Sequence, residues 1–387
     1  LLNPRLPAEA CLTLGEGGTP LVDVPGVAAA MGLRRLAFKR EDLNPTGSHK
    51  DRGAAFQVSA YKHTRPALSG LVVSSSGNAA ISGAAYARKA GLALAAFVAP
   101  GTARGKLERL LREGALVVVT RRAITMATEV ATALDVPNLR PSTDPLAVEG
   151  FLTIGWELAE ARSAADADDV FIFASSGTSF VALGRSALRS GDVGATWEPR
   201  FHVVQGTGAH PIAGQLDRRS VPDRAGTVGA FGARKTRRVG EAVRLARGSG
   251  GAGWVVTDEE AWQASHLLER HGIATSLESA ASVAAAARAA AEAGVESAIV
   301  VLTGRRRSPA QEAFAGGRAT SEAEEQATDL GPGVPSLPIE DRGVAARGSN
   351  DAALAVVDDV EEAIALVERF FAGVPAGGSP GARSSRE

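Results

Sequence analysis

FIFASSGTSFVALGRSAL, residues Phe171 to Leu188, opens as an unbroken apolar run and closes in a helical pattern, with Ser-Ser-Gly-Thr-Ser between them. An apolar run without polar alternation suits a strand covered on both faces, as in a parallel sheet. The backbone N–H groups of Gly177 to Ser179, with the hydroxyls of Ser176, Thr178 and Ser179, can enclose a phosphate at the positive end of a helix dipole. The segment has no Walker lysine at the required spacing and no G-x-G-x-x-G, which argues against a nucleotide as the owner of that phosphate.

The same strand-to-helix unit recurs outward in both directions. Apolar runs lie at Leu36 to Lys39, Gly70 to Ser76, Leu92 to Pro100, Ala115 to Thr120, Phe201 to Gly206 and Ser297 to Gly304, most of them ending in Gly, Pro, Ser or Thr. Helical patterns lie between them, at Ala103 to Glu113, Phe180 to Ser190 and the Ala-rich Ser282 to Ala293. The sum predicts a doubly wound α/β protein, whose ligands sit at the carboxyl ends of the strands.

Two further strand-end loops carry unusual residues. In VVSSSGNAAISGAAYA, Val72 to Ala87, a Ser-Ser-Ser-Gly-Asn turn enters a helix of small residues. It suits a carboxylate or phosphate; its plain alternative is a helix capped by Ser76 or Asn78. In VVLTG, Val300 to Gly304, Thr303 ends a strand and offers a hydroxyl. Upstream, LNPTGSHKDRG, Leu43 to Gly53, presents Lys50 after a Pro-Thr-Gly turn signal, with His49 before it and Asp51-Arg52 after it.

Composition narrows the partners. The 387 residues are 45% apolar and 22% charged, with a formal net charge of -1. That charge gives no long-range field to collect nucleic acid or anionic membrane, and the Arg305-Arg306-Arg307 run is too short to change this. The expected partner is a small molecule. With Cys11 the single cysteine, no internal disulfide or Cys-based zinc cluster is expected, and no metal site is proposed. No leader pattern opens the chain and no apolar stretch approaches the ~20 residues of a membrane helix, so the expected location is cytoplasmic.

An amine near the start, a phosphate cradle in the middle and a hydroxyl near the end are the handles that hold pyridoxal 5'-phosphate. Five ordered motifs carry a resemblance: GEGGTPL (Gly15 to Leu21), FKREDLNPTGSHKDRG, SSSGNAAISGAAYARKAG, WVVTDEEAWQASHLLERHGIATSLESAASVAAA and VVLTG. Through them the chain resembles the threonine synthase family of fold-type-II pyridoxal-phosphate enzymes. The resemblance implies a tryptophan synthase β-like fold, two doubly wound parallel-sheet domains with the cofactor between them. It implies that Lys50 is the Schiff-base lysine and proton shuttle, and that Asn78 contacts the cofactor's 3-hydroxyl. Ser75, Ser76 and the backbone at Ala79 would hold the substrate carboxylate. Ser176, Gly177, Thr178 and Ser179 would bind the cofactor phosphate, and Thr303 the pyridine nitrogen. His49 stands where threonine synthases usually carry phenylalanine, and reads as a contact to the phosphate or its loop. Asp51 and Arg52 read as a first-turn acid and a domain-bridging ion pair.

One departure bears on the substrate. Where threonine synthases commonly read N-P-Y-R-x-E-G-Q-K-T, with the arginine on the phosphate of O-phosphohomoserine, this chain has DPLAVEGFLT, Asp144 to Thr153. Ala147 replaces the arginine and Leu152 the lysine, which removes a planar bidentate clamp. Lys106 in GKLERL is a candidate to supply a cation in its place, with an exposed helix lysine as its equally plain alternative. The expected activity is elimination or replacement at the β or γ carbon of an amino acid, threonine synthase leading. A serine or threonine dehydratase is the first alternative, and a catalytically silent subunit that binds cofactor or amino acid the second.

The expected organisation is a discontinuous cofactor-binding domain at 1–60 and 145–307, a small inserted α/β domain at 61–144, a linker at 308–348, a strand-helix extension at 349–375 and a disordered tail at 376–387. Within the extension, ALAVVDDVEEAIALVERFFAG echoes GWVVTDEEAWQASHLLERHG: each joins a short β run to a cap, Asp358 with Glu361 in one and Thr257 with Glu260 in the other. The expected assembly is a homodimer.

Overall fold

A computed structural model describes residues 5–165, 167–188, 198–222, 224, 226–229, 236–306 and 353–373. Its chain divides into two compact units, one drawn from Leu1–Leu6, Gly15–Phe56 and Pro141–Thr320, the other from Pro7–Leu14, Gln57–Arg140 and Ser321–Glu387. The expected linker and tail lie outside the described residues.

The first unit is built on a six-stranded sheet in the order β1 (Leu21–Asp23), β2 (Arg35–Lys39), β9 (Ser297–Val301), β6 (Asp169–Phe173), β7 (Arg200–Gly206) and β8 (Gly253–Val256). All neighbours are parallel except β1, an antiparallel edge. Alternate residues of each strand serve opposite faces. Val170, Ile172, Ile299 and Val301 join one core with Phe151 and Ile154 of α6 (Leu146–Ala165), Val181 of α7 (Thr178–Leu188) and Ala246 of α8 (Val239–Gly248). Phe171, Phe173, Ala298 and Val300 join the other, with Val27 of α1 (Pro25–Ala30), Leu268 of α9 (Asp258–Arg270) and the buried alanines of α10 (Leu277–Ala293). Burial on both faces is the reason these strands read as continuous apolar runs.

The second unit has a parallel four-stranded sheet in the order β10 (Leu354–Val356), β5 (Leu116–Val119), β4 (Ala93–Val98) and β3 (Gly70–Ser74). The C-terminal strand-helix extension is therefore part of this sheet. Its helix α11 (Val360–Ala372) packs Val367 and Phe371 against Phe97 and Val118. The cap of α11 is Asp359, which accepts from Glu362 N–H, one residue beyond the expected Asp358. Asp358 instead accepts from Thr120. The Thr257–Glu260 capping box forms as expected.

Helix starts also moved. The pattern read from Phe180 begins at Thr178, and the one read from Ser282 begins at Leu277, because Ser276 caps it by accepting from Ser279 N–H. The first shift places Thr178 and Ser179 in the opening turn of α7, where backbone N–H groups lack intrahelical partners.

Candidate active site

In the first unit, the carboxyl ends of three adjacent parallel strands, β2, β9 and β6, deliver the lysine turn, Thr303 and the Ser176–Ser179 loop to the same edge of the sheet. Lys50 opens α2 (Lys50–Thr64), and the turn before it is held at both sides. Ser48 forms an antiparallel bridge with Gly304, and His49 N–H donates to the Thr303 carbonyl at 3.0 Å. Asp51, in the first turn of α2, accepts from both the backbone N–H and the hydroxyl of Thr46.

Arg52 corrects an expectation. Its guanidinium pairs with Glu41 at 2.7 Å and Glu157 at 2.7 Å, and Glu157 also takes Lys39 at 2.6 Å, all within the first unit. These pairs fasten α2 to α6 and to the turn that follows β2 rather than bridging two domains. Burial alone would raise the Glu157 carboxyl, but the Arg52 and Lys39 cations outweigh it and hold it at about 2. At the same crossing a Cβ on Gly150 would collide with the Arg52 carbonyl, and one on Gly53 would stand 2.6 Å from the Phe151 ring. The two glycines let α2 and α6 approach closely enough for Phe151 to cover the lysine.

Lys50 Nζ lies 5.1 Å from the centroid of the Phe151 ring and has no ion pair among the described residues. Loss of water pushes its amine down to about 8, so a sizeable fraction is neutral and nucleophilic near physiological pH. His49 is buried, with Nδ1 2.9 Å from the Thr303 carbonyl and its ring 5.4 Å from Phe151. Burial, then the Lys50 and Arg52 charges, hold the imidazole well below its ordinary range, against the Thr303 carbonyl. A carbonyl only accepts, so Nδ1 carries the proton and Nε2 is a bare acceptor, buried without a partner among the described residues.

Thr303 is itself buried, with Oγ1 3.4 Å from Ser279 Oγ, and Ser279 Oγ in turn lies 3.1 Å from Ser276 Oγ. Ser279 also accepts from Gly304 N–H. This hydroxyl chain fixes the threonine's hydroxyl. In the Ser176–Ser179 loop, Gly177 has φ +82°, the left-handed region that favours glycine. Ser176 Oγ is 3.0 Å from Thr178 Oγ1, which donates to the Pro141 carbonyl. Thr236 closes the loop from outside by donating to the Ser176 carbonyl at 2.8 Å.

The second unit holds the other candidates. Ser75, Ser76 and Ala79 lie around the start of α3 (Asn78–Lys89), where Asn78 is the first helical residue. The cap position belongs to Gly77, with no side-chain cap, so the plain reading of Ser76 or Asn78 as the cap is wrong. Ser75 Oγ accepts from Gly77 N–H at 3.2 Å, and Ser74 Oγ is buried without a partner among the described residues. Lys106 is 6% exposed on α4 (Arg104–Arg112), which rules out the exposed helix lysine as its description.

Phe151 and Ser279 escaped the sequence reading. Phe151 reads as a core residue of an apolar helix, and only the α2–α6 crossing brings it to Lys50. Ser279 has no signal beyond its place three residues after a capping serine.

Comparison with known proteins gives a consistent picture. A family model described as "Pyridoxal-phosphate dependent enzyme" matches residues 12–304. Threonine synthase of Methanosarcina acetivorans is 30% identical over 286 residues, 70% of either chain. That of Synechocystis is 31% identical over 315 residues, 78% of this chain and 80% of the relative. Among solved structures, maize serine racemase superposes with a TM-score of 0.65 at 20% identity, covering 78% of this chain and 93% of that one, a likeness of fold.

Proposed function

The chain belongs to the family of pyridoxal-phosphate-dependent enzymes, with threonine synthases among its relatives, and on that premise we propose that Lys50 is the reacting amine of a carbon-oxygen lyase of the threonine synthase type. The observation that carries this is Lys50 at the head of α2, half-buried under the Phe151 ring with no ion pair among the described residues and on a turn clamped to Thr303, where loss of water pushes its amine down to about 8. The residues present fit the cofactor. An amine short of water, a helix N-terminus with flanking hydroxyls and a buried hydroxyl at a strand end suit its aldehyde, phosphate and ring nitrogen.

When bound, pyridoxal phosphate supplies an aldehyde for an amine and a ring that draws electrons from the substrate's α-carbon. Lys50 would hold the cofactor at rest and, released, take and return the proton at that carbon. Gly177, Thr178 and Ser179, with Ser176, would seat the phosphate. The Thr303 hydroxyl, set by Ser279, would meet the ring nitrogen without supplying a carboxylate, a weaker electron draw that favours elimination and replacement over amino transfer. In the second unit, Asn78 is proposed for the 3-hydroxyl and Ser75, Ser76 and the Ala79 backbone for the substrate carboxylate.

The leading reaction is loss of a leaving group from the β or γ carbon of an amino acid, followed by addition of water, as in conversion of O-phosphohomoserine to threonine and phosphate. One observation favours a second reading. Ala147 and Leu152 are wholly buried, Ala147 within the apolar core of the first unit, so neither position offers a phosphate clamp. A serine or threonine dehydratase needs none. An assay of pure protein against phosphohomoserine, phosphoserine, serine and threonine, separating phosphate release from ketoacid release, decides between them. Phosphate with threonine is the expected outcome; ketoacid from serine or threonine with no phosphate supports the dehydratase. We also propose a homodimer, to be checked by light scattering, and a cytoplasmic site of action; among the described residues no helix is long and apolar enough to cross a membrane.

A further inference from the structure

Outside the groups assigned so far, the backbone and Cβ of Arg238 lie beside the phosphate loop. Arg238 N–H donates to Thr236 Oγ1 at 3.3 Å, the hydroxyl that itself donates to the Ser176 carbonyl. Arg238 Cβ lies 3.6 Å from the position a Cβ on Gly177 would occupy. Its guanidinium Nε is buried without a hydrogen-bond partner among the described residues. The nearby carboxylates are already engaged: Glu241 pairs with Arg185 at 2.6 Å, and Asp144 accepts from Leu146 N–H at 2.9 Å. Burial, and then repulsion from Arg185, disfavour the Arg238 charge, opposed by Glu241 and Asp144. A guanidinium nonetheless stays charged in proteins. A buried donor left unpaired is costly, and an anion at this place removes the cost.

We propose that Arg238 supplies the guanidinium for a phosphomonoester at this place, either the cofactor's, seated in the Ser176–Ser179 loop, or a substrate's, lying beside it. Its planar fork suits phosphate oxygens, and the N-terminus of α7 adds the positive end of a helix dipole. This deepens the reading above, since it takes that loop to be the phosphate seat. The cofactor and a phosphorylated amino-acid substrate share the same chemistry, and the substrate source would restore a cation that Ala147 does not provide.

The test uses ligands without an aldehyde, so the reaction of Lys50 does not enter. Apo-protein is titrated with pyridoxine 5'-phosphate and with pyridoxine, for wild type, Arg238→Ala, Arg238→Gln and Arg238→Lys, each checked for folding by circular dichroism. Loss of the guanidinium should weaken the phosphorylated ligand by about ten- to a hundred-fold, with Lys intermediate and pyridoxine unchanged. In a second arm, unchanged pyridoxine 5'-phosphate binding with a KM raised about tenfold or more for phosphohomoserine, and not for serine, assigns the substrate's phosphate instead. If the Ala and Gln variants both match wild type in both arms, the proposal is overturned. That failure is distinct from failure of the Lys50 assignment, because the first arm is blind to the lysine.

Discussion

A lysine amine starved of water gives up its proton more readily, and here burial brings Lys50 down to about 8. Below that value the free amine falls with each step in pH, so recombination of apo-protein with pyridoxal phosphate should speed up about tenfold per pH unit and level off above about pH 8. Stopped-flow absorbance checks this; a rate independent of pH between about 6 and 9 contradicts the assignment. At Thr303, removal of the hydroxyl by Thr303→Ala should lower turnover by about ten- to a thousand-fold, ~1.4 to 4 kcal/mol of transition-state stabilisation. Unchanged turnover reduces the hydroxyl to a strand cap. Lys50, His49, Thr303 and the Ser176–Ser179 loop were legible because each sits where a strand or turn ends and a reactive side chain follows within a residue or two. Phe151 and Ser279 were not, because each meets Lys50 or Thr303 from a helix, through contacts between residues far apart in the chain. Arg52 was legible as structural, but its partners Glu41 and Glu157 lie on elements whose neighbours periodicity does not specify.

At the scale of elements, α2 carries the lysine and the Arg52 network holds α2 in place. Replacing Arg52 by Met leaves Glu41 buried without its cation and Glu157 with Lys39 alone, a change expected to cost about 3 to 5 kcal/mol in denaturant unfolding. A loss under ~1 kcal/mol would falsify the view that this pair anchors the helix. The sign of its pH dependence follows from Glu157, whose folded carboxyl sits at about 2 against an ordinary 4.5. The contribution is whole above about 4.5 and is lost as pH falls toward about 2, so the gap between wild type and Arg52→Met should narrow over that window. The parallel strands were legible as uninterrupted apolar runs, since both faces are covered. The three-residue antiparallel edge β1 was not, because LVD carries too few residues to show a period. Helix starts shifted where a serine cap or a Gly-Thr-Ser turn began the helix earlier than its apolar pattern did.

At the scale of the whole molecule, each unit has its own sheet and core, and the C-terminal strand β10 completes the second sheet beside β5. Ending the chain at residue 352 removes that strand and the Phe371 face of α11. Hydrogen exchange in Leu116–Val119 should then accelerate strongly while exchange in β6 and β9 stays as in the full chain. Equal acceleration in both sheets would show that the extension supports more than its own unit. Every catalytic role proposed above depends on Lys50 being the amine that holds the cofactor. The direct measurement is borohydride reduction of the pyridoxal-phosphate-loaded protein, followed by peptide mass spectrometry to locate the trapped adduct. The account predicts a single adduct on Lys50, absent in Lys50→Ala while that variant keeps its fold; an adduct on any other lysine, or one that persists in Lys50→Ala, contradicts it.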